Sequence, residues 1–217
     1  YWKSCPREPY LWCRWIKTDS KTIFDKNGKL ICRAIPNQTA RQDTARMLTG
    51  AICSKDLYSF QYGKVEVRLK TNATKGNFPA VWLMPQDIGN PYRYGEIDIF
   101  EAFGKDGLAH QTVHSHLSFM LNDNSGMRSF GTKTDLTQWH IYSVEWDSKL
   151  ITFKIDGKTI GSYEKSNDPN RLAKGQWTFD RPFYIILNQS VGNDTWHTPD
   201  YHHTYETQID WVRVYQR

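Results

Sequence analysis

Gly95-Glu96-Ile97-Asp98-Ile99-Phe100-Glu101 sets three carboxylates into a run of β-branched and aromatic residues, and the reading of this stretch decides how the chain is organised. The apolar members favour an extended strand. Side chains on a regular strand alternate between its faces, so Glu96 and Asp98 share one side while Glu101 points to the other. One extra residue reverses that. A β-bulge at Ile99-Phe100 turns Glu101 back onto the face of Glu96 and Asp98, and bulges gather beside active sites. On a straight strand the Glu96 and Glu101 backbones would stand roughly 16 Å apart, at about 3.3 Å per residue. The bulge, the local twist and two long side chains have to close that gap.

Three acids on one face suit a particular chemistry. Displacement at an acetal carbon with retention of configuration needs two carboxyl groups about 5 to 5.5 Å apart, one acting as nucleophile and the other as acid and then base. Glu96 fits the nucleophile and Glu101 the proton donor, with Asp98 between them to orient Glu96. Repulsion among three negative charges raises the pKa of at least one member, and that member carries the proton. Spacing alone leaves two alternatives open: a solvated strand face, and a hard-cation site built from oxygen ligands.

The 217 residues fit one domain, 1–217, because all-β sandwiches and barrels commonly reach this size undivided. Nine Trp and twelve Tyr in a polar chain fit amphipathic rings lining a groove. Sugars offer apolar C–H faces to such rings and hydroxyls to polar neighbours. The net charge is +5, but Lys and Arg are scattered among acids: Lys64-Val65-Glu66-Val67-Arg68 alternates charge with valine, the wet face of a half-buried strand. That pattern argues against nucleic acid as a partner. No apolar run approaches the roughly 18 to 20 residues of a membrane span, no signal segment opens the chain, and Tyr1 reads as a processing boundary. Cys5, Cys13, Cys32 and Cys53 follow no zinc spacing and no Cys-x-x-Cys pattern. Two disulfides of an exported protein, Cys5–Cys13 and Cys32–Cys53, are the expectation, with free buried thiols as the alternative.

Strand and turn signals recur along the chain. Asp25-Lys26-Asn27-Gly28 is a hairpin turn leading into 29–34, and 62–69 alternates cleanly. Phe78 to Met84 is a short apolar run, the acidic strand follows, and 111–116 continues it. Further strands are expected at 139–146, 151–155, 159–160, 183–187 and 208–215. Short strands separated by turns indicate a β-sandwich or barrel, and no helical period or internal repeat interrupts them.

Glu96-Ile97-Asp98-Ile99-Phe100-Glu101 resembles the active-site signature of glycoside hydrolase family 16 in its longer, bulge-containing form. Five further segments resemble family segments in the family's order: Tyr62 to Arg68, Phe78 to Pro85, Trp139 to Trp146, Pro182 to Asn188 and Ile209 to Tyr215. The resemblance implies an all-β jelly-roll sandwich of two curved antiparallel sheets, with a substrate cleft on the concave face and endo-acting, retaining chemistry. Carried over position by position, Glu96 matches the nucleophile, Asp98 the assisting acid and Glu101 the general acid/base. Trp82, Tyr94, His114, Trp177, Asn188 and Trp196 match regions bordering the cleft, while Phe78 stands where many relatives have Trp. The expected partner is a β-linked polysaccharide or oligosaccharide, foremost β-1,3-glucan or mixed-linkage β-1,3-1,4-glucan, with galactans or host glycans as the alternative. A transglycosylase and a non-catalytic lectin are the readings from other classes. No cofactor is required; a structural calcium with Asp210 as one ligand is left open, and the metal stays unassigned. A monomer that is secreted, periplasmic or at the cell surface completes the expectation.

Overall fold

The computed structural model describes residues 1–5, 13–16, 21–39, 45–87, 94–104, 106–194 and 197–216, with the backbone alone for 13–16. Among the described residues, fifteen strands run in chain order: β1 Lys3–Ser4, β2 Cys13–Ile16, β3 Ile23–Lys26, β4 Lys29–Pro36, β5 Met47–Cys53, β6 Gly63–Thr71, β7 Asn77–Pro85, β8 Gly95–Glu101, β9 Leu108–Ser115, β10 Met127–Lys133, β11 His140–Trp146, β12 Leu150–Ile155, β13 Lys158–Glu164, β14 Phe183–Val191 and β15 Tyr205–Tyr215. Two short α-helices, α1 His116–Phe119 and α2 Pro169–Ala173, and one 3-10 turn, Asn124–Gly126, interrupt them among the described residues. The main hydrogen-bonded order is β10-β9-β8-β7-β14-β5-β4-β15-β6-β11-β12-β13, with β1 and β2 added beside β5 and β3 beside β4. Among the described strands, pairing is antiparallel except between β2 and β5.

This sheet curves until its two halves face each other, and one core fills the space between. Val81 and Leu83 of β7 and Ile97, Ile99 and Phe100 of β8 come from one half; Val65, Val67 and Leu69 of β6, Tyr142 and Val144 of β11 and Phe153 of β12 come from the other. The Phe100 and Tyr142 rings meet across it with centroids 4.5 Å apart. At the far edges Phe130 of β10 lies against β13, where a Cβ at Gly161 would sit 2.3 Å from its ring. The missing side chain is what lets the two ends of the curved sheet approach. The architecture is the jelly-roll sandwich that the sequence implied.

Local chemistry accounts for the turns. Asn27 and Gly28 take φ +56° and +73°, and Asp156 and Gly157 take +50° and +80°. Two consecutive left-handed residues make the turn whose twist matches a two-residue hairpin. The expected strand 111–116 stops one residue early, because Ser115 caps α1 with its hydroxyl on Ser118 N while Ser118 Oγ takes the Ser115 N–H. That reciprocal cap turns the chain before His116.

The expected Cys32–Cys53 disulfide is corrected: Cys32 and Cys53 are free thiols. The expected Cys5–Cys13 pair falls on the side chain of Cys13, which lies outside the described residues. Cys32 points into the main core while Cys53 belongs to a second cluster on the opposite face of the sheet, with Cys5 packed beside it. The sheet itself separates the expected Cys32–Cys53 pair, so no rotamer joins them. Burial pushes the Cys32 thiol up to about 12.

Candidate active site

The bulge falls where the acids required it. On β9, Glu96 faces His114, Asp98 faces Thr112 and Glu101 faces His110, three alternate positions of a regular strand. On β7, Asp98 faces Trp82, Phe100 faces Val81 and Glu101 faces Ala80, so Ile99 is the unmatched residue. Five steps of β8 therefore span four of β9. Ile99 and Phe100 both enter the core, and all three carboxylates emerge on the other side. That side is the concave surface, carpeted by Ala51, Cys53, Ala80, Trp82, Met84, Tyr184 and Ile186.

Electrostatics separates the three acids. Asp98 is 2% exposed, and burial, followed by the charges of Glu101 and Glu96 and a hydrogen bond to Glu96, pushes its carboxyl well above the usual range. Burial, reinforced by the charge of Glu96, lifts Glu101 to about 8. Glu96 accepts a hydrogen bond from the Tyr94 hydroxyl. His114 Nε2 stands 3.5 Å from Asp98 Oδ2, and burial lowers the imidazole's pKa against the opposing pull of Glu96. Both shifts favour the neutral forms of Asp98 and Glu101, so the trio carries less charge than three acids suggest. Glu96, Asp98 and His114 each bring one ligand atom within 4.8 Å of the others. The burial that favours the neutral form of Asp98 works against a cation there.

The residues expected to contact substrate divide. Tyr94 and His114 join the carboxylates, as above. Trp82 lies across from Asp98, almost buried, and its Nε1 donates to Asn188 Oδ1 at 2.7 Å. Asn188 in turn donates to Ser190 Oγ at 3.1 Å and stands between Ala80 and Ala51 in the sheet register. Two alanines beside one amide leave a shallow floor next to Glu101. Trp177 is not brought to the acids: it packs in the main core against Tyr163 and Phe179, with Nε1 on Asp180 at 2.8 Å. Trp196 lies outside the described residues.

Two aromatic groups were missed by the sequence reading. Just beyond β8, Phe103 gathers Phe78, His110 and His197, with centroid separations of 5.2, 4.7 and 5.4 Å. Just before β8, Phe119 stacks on Tyr94 at 4.1 Å. The acids thus lie between an aromatic wall at each end of their strand. Neither partner carries a motif; only the fold joins loops so distant in sequence.

Asp210 is the unmatched residue of a bulge in β15. Lys29 binds one of its oxygens and Arg68 the other, and these bonds, that of Lys29 foremost, hold its carboxyl below the usual range. Calcium needs free carboxylate oxygens among six to eight ligands. Two side-chain cations already occupy both oxygens of Asp210, so the donor set does not fit the ion.

A jelly-roll sandwich whose concave sheet presents three clustered carboxyl groups, two of them with raised proton affinity, defines a glycoside hydrolase type of domain. The chain belongs to the glycosyl hydrolases family 16, whose family model matches residues 14–213. It is similar to a glucan endo-1,3-beta-glucosidase A1 of Niallia circulans, at 32% identity over 91% of this chain and 31% of that protein. It is also similar to a keratan-sulfate endo-1,4-beta-galactosidase of Sphingobacterium multivorum, at 28% identity over 99% and 51% respectively. Among solved structures, the non-specific endo-beta-1,3(4)-glucanase SCLam superposes with a TM-score of 0.85 at 25% identity, over 99% of this chain and 84% of that one. The chain therefore spans 31% and 51% of the length of these two curated relatives. No helix among the described residues is long and apolar enough to cross a membrane.

Proposed function

We propose that the chain is a retaining endo-β-glycosidase domain that cuts internal linkages of a β-glucan, β-1,3 or mixed β-1,3-1,4. The observation that carries this reading is the pairing of Glu96 and Glu101 with alternate β9 positions across one bulge, with Glu101 lifted to about 8. Glu101 protonates the leaving oxygen as the C1–O bond breaks, and Glu96 attacks C1 to form a glycosyl ester. Glu101, now a carboxylate, takes a proton from a water whose oxygen bonds to C1 as the C1–O bond to Glu96 breaks, which releases the sugar and regenerates Glu96 as a carboxylate and Glu101 as an acid. Tyr94 and Asp98 donate to Glu96 and fix its direction of attack. No metal is needed for either step. The whole of 1–217 serves as one catalytic domain, acting as a monomer outside the cytoplasm, where polysaccharide is met.

Galactan or host-glycan cleavage is the second reading, favoured by the similarity to the keratan-sulfate endo-galactosidase over almost the whole chain. A lectin would have no use for a donor and a nucleophile of separated proton affinity, and a transglycosylase would share the trio but pass the sugar to another sugar. A panel of laminarin, lichenan, agarose and keratan sulfate, read by mass analysis of the products, decides between them. Laminarin or lichenan oligosaccharides are the expected products. Cleavage of keratan sulfate alone would transfer the assignment to galactans, and ligated products at high oligosaccharide concentration would indicate transfer.

We also infer that stability does not depend on calcium at Asp210. Excess EDTA is expected to move the thermal midpoint by less than about 1 °C, against the roughly 4 °C or more that a bound ion held at 100 times its Kd would confer on a domain of this size. A chelator-induced drop of several degrees, absent in an Asp210→Asn variant, would overturn the inference.

A further inference from the structure

Three consecutive apolar side chains at the end of α1, Phe119, Met120 and Leu121, are 54%, 48% and 51% exposed. The segment that carries them is firmly held. Ser115 caps the helix and binds Gly126 O at 2.7 Å, Leu117 is buried, Met120 N donates to His116 O and Asp123 N to Leu117 O. A backbone fixed this well, ending in three wet apolar side chains, is built to present them, because exposed apolar clusters mark binding surfaces. The cluster is continuous with the carboxylates. The Phe119 ring lies nearly parallel to that of Tyr94, at 13° and 4.1 Å, and the Tyr94 hydroxyl binds Glu96. The edge of His114 meets Phe119 at 6.4 Å.

We propose that Phe119, Met120 and Leu121 form a sugar-binding platform that holds the apolar C–H face of an uncharged pyranose unit, one or more residues away from the unit bonded to Glu96. The inference rests on the glycosidase reading of the carboxylates. A sugar is favoured over a protein partner because the platform runs without a break through Tyr94 to the group that attacks the sugar. The three side chains bring one ring, methyl groups and no charge of their own, which suits a neutral glycan rather than a sulfated one. Stacked rings also fix Tyr94, so the platform and the nucleophile share one support.

The test uses the Glu96→Gln protein as the binding form and calorimetry as the readout. The probes are laminaribiose and laminarihexaose, with the disaccharide and hexasaccharide of poly-N-acetyllactosamine as a second pair. Adding Phe119→Ala is expected to weaken the hexasaccharide about tenfold, equivalent to ~1.4 kcal/mol, and the disaccharide less than threefold. Phe119→Tyr should retain most of the affinity, which separates lost stacking from a disturbed fold. Equal weakening of both lengths, no weakening, or failure of Glu96→Gln to bind either hexasaccharide would overturn the platform. So would sedimentation of the wild-type chain as a dimer that Phe119→Ala dissociates. If Glu96→Gln binds as expected while the wild-type chain cleaves nothing, catalysis falls and the platform stands; if the chain cleaves and Phe119 proves indifferent, only the platform falls.

Discussion

Glu96→Gln is expected to reduce release of reducing sugar from the cleaved polysaccharide by a factor on the order of 10⁴ or more, while the thermal midpoint stays within a few degrees of wild type. The amide has the carboxylate's shape and keeps an oxygen for the Tyr94 hydroxyl, so the site stays packed. It cannot form the glycosyl ester, and loss of a covalent nucleophile is among the largest single-residue effects in an enzyme. A more direct check is labelling with an activated 2-deoxy-2-fluoro glycoside, whose ester forms but hydrolyses slowly. Wild type should gain one sugar, located by peptide mapping on Glu96, and the Gln variant none. Turnover within tenfold of wild type, or a label found on Asp98 or Glu101, would show that the roles are wrongly distributed.

How far the sequence carried this reading depends on the element. The acidic strand was legible because its chemistry demanded an inserted residue, and Ile99 is that residue. Alternating strands such as β6 were legible because one face is wet and the other dry. β5 was not: Met47-Leu48-Thr49-Gly50-Ala51-Ile52-Cys53 is covered on both faces, which removes the alternation, and Gly50 interrupts what remains. That glycine is required by packing, since a Cβ there would lie 2.5 Å from Ile23 Cγ1. β10 was missed for the opposite reason, since none of its residues is buried and it carries no apolar face to read. Within the site, the carboxylates announced themselves by type and spacing. Phe119 and Phe103 did not, because their roles come from contacts between loops that only the closed sheet brings together. Trp177 marks the same limit from the other side: its ring packs in the main core, a placement that its position in the sequence does not reveal.

The strongest pH-dependent effects are expected at Glu101. Burial and the neighbouring Glu96 lift its carboxyl from the ordinary 4.5 to about 8, so kcat/KM of the wild type should fall as pH rises through that value and the donor loses its proton. Glu101→Gln is expected to lower polysaccharide cleavage by about 10²- to 10⁴-fold, the range of general acid catalysis. It should slow a dinitrophenyl glycoside far less, since that leaving group departs without a proton. Stability supplies an independent reading. Between pH 4.5 and 8 the folded chain holds a proton on Glu101 that the unfolded chain releases, so wild-type stability decreases as pH rises across that window. The glutamine has no such proton. The thermal midpoint of Glu101→Gln minus that of wild type should therefore grow from pH 5 to about pH 8 and level off beyond it. The buried Asp98, raised by the same surroundings, adds a slope of the same sign to both proteins, and in the variant that slope is smaller because one of its charged neighbours is gone. A gap that stays flat across the window would mean that Glu101 titrates near its ordinary value, and a donor ionised at neutral pH could not protonate the leaving oxygen.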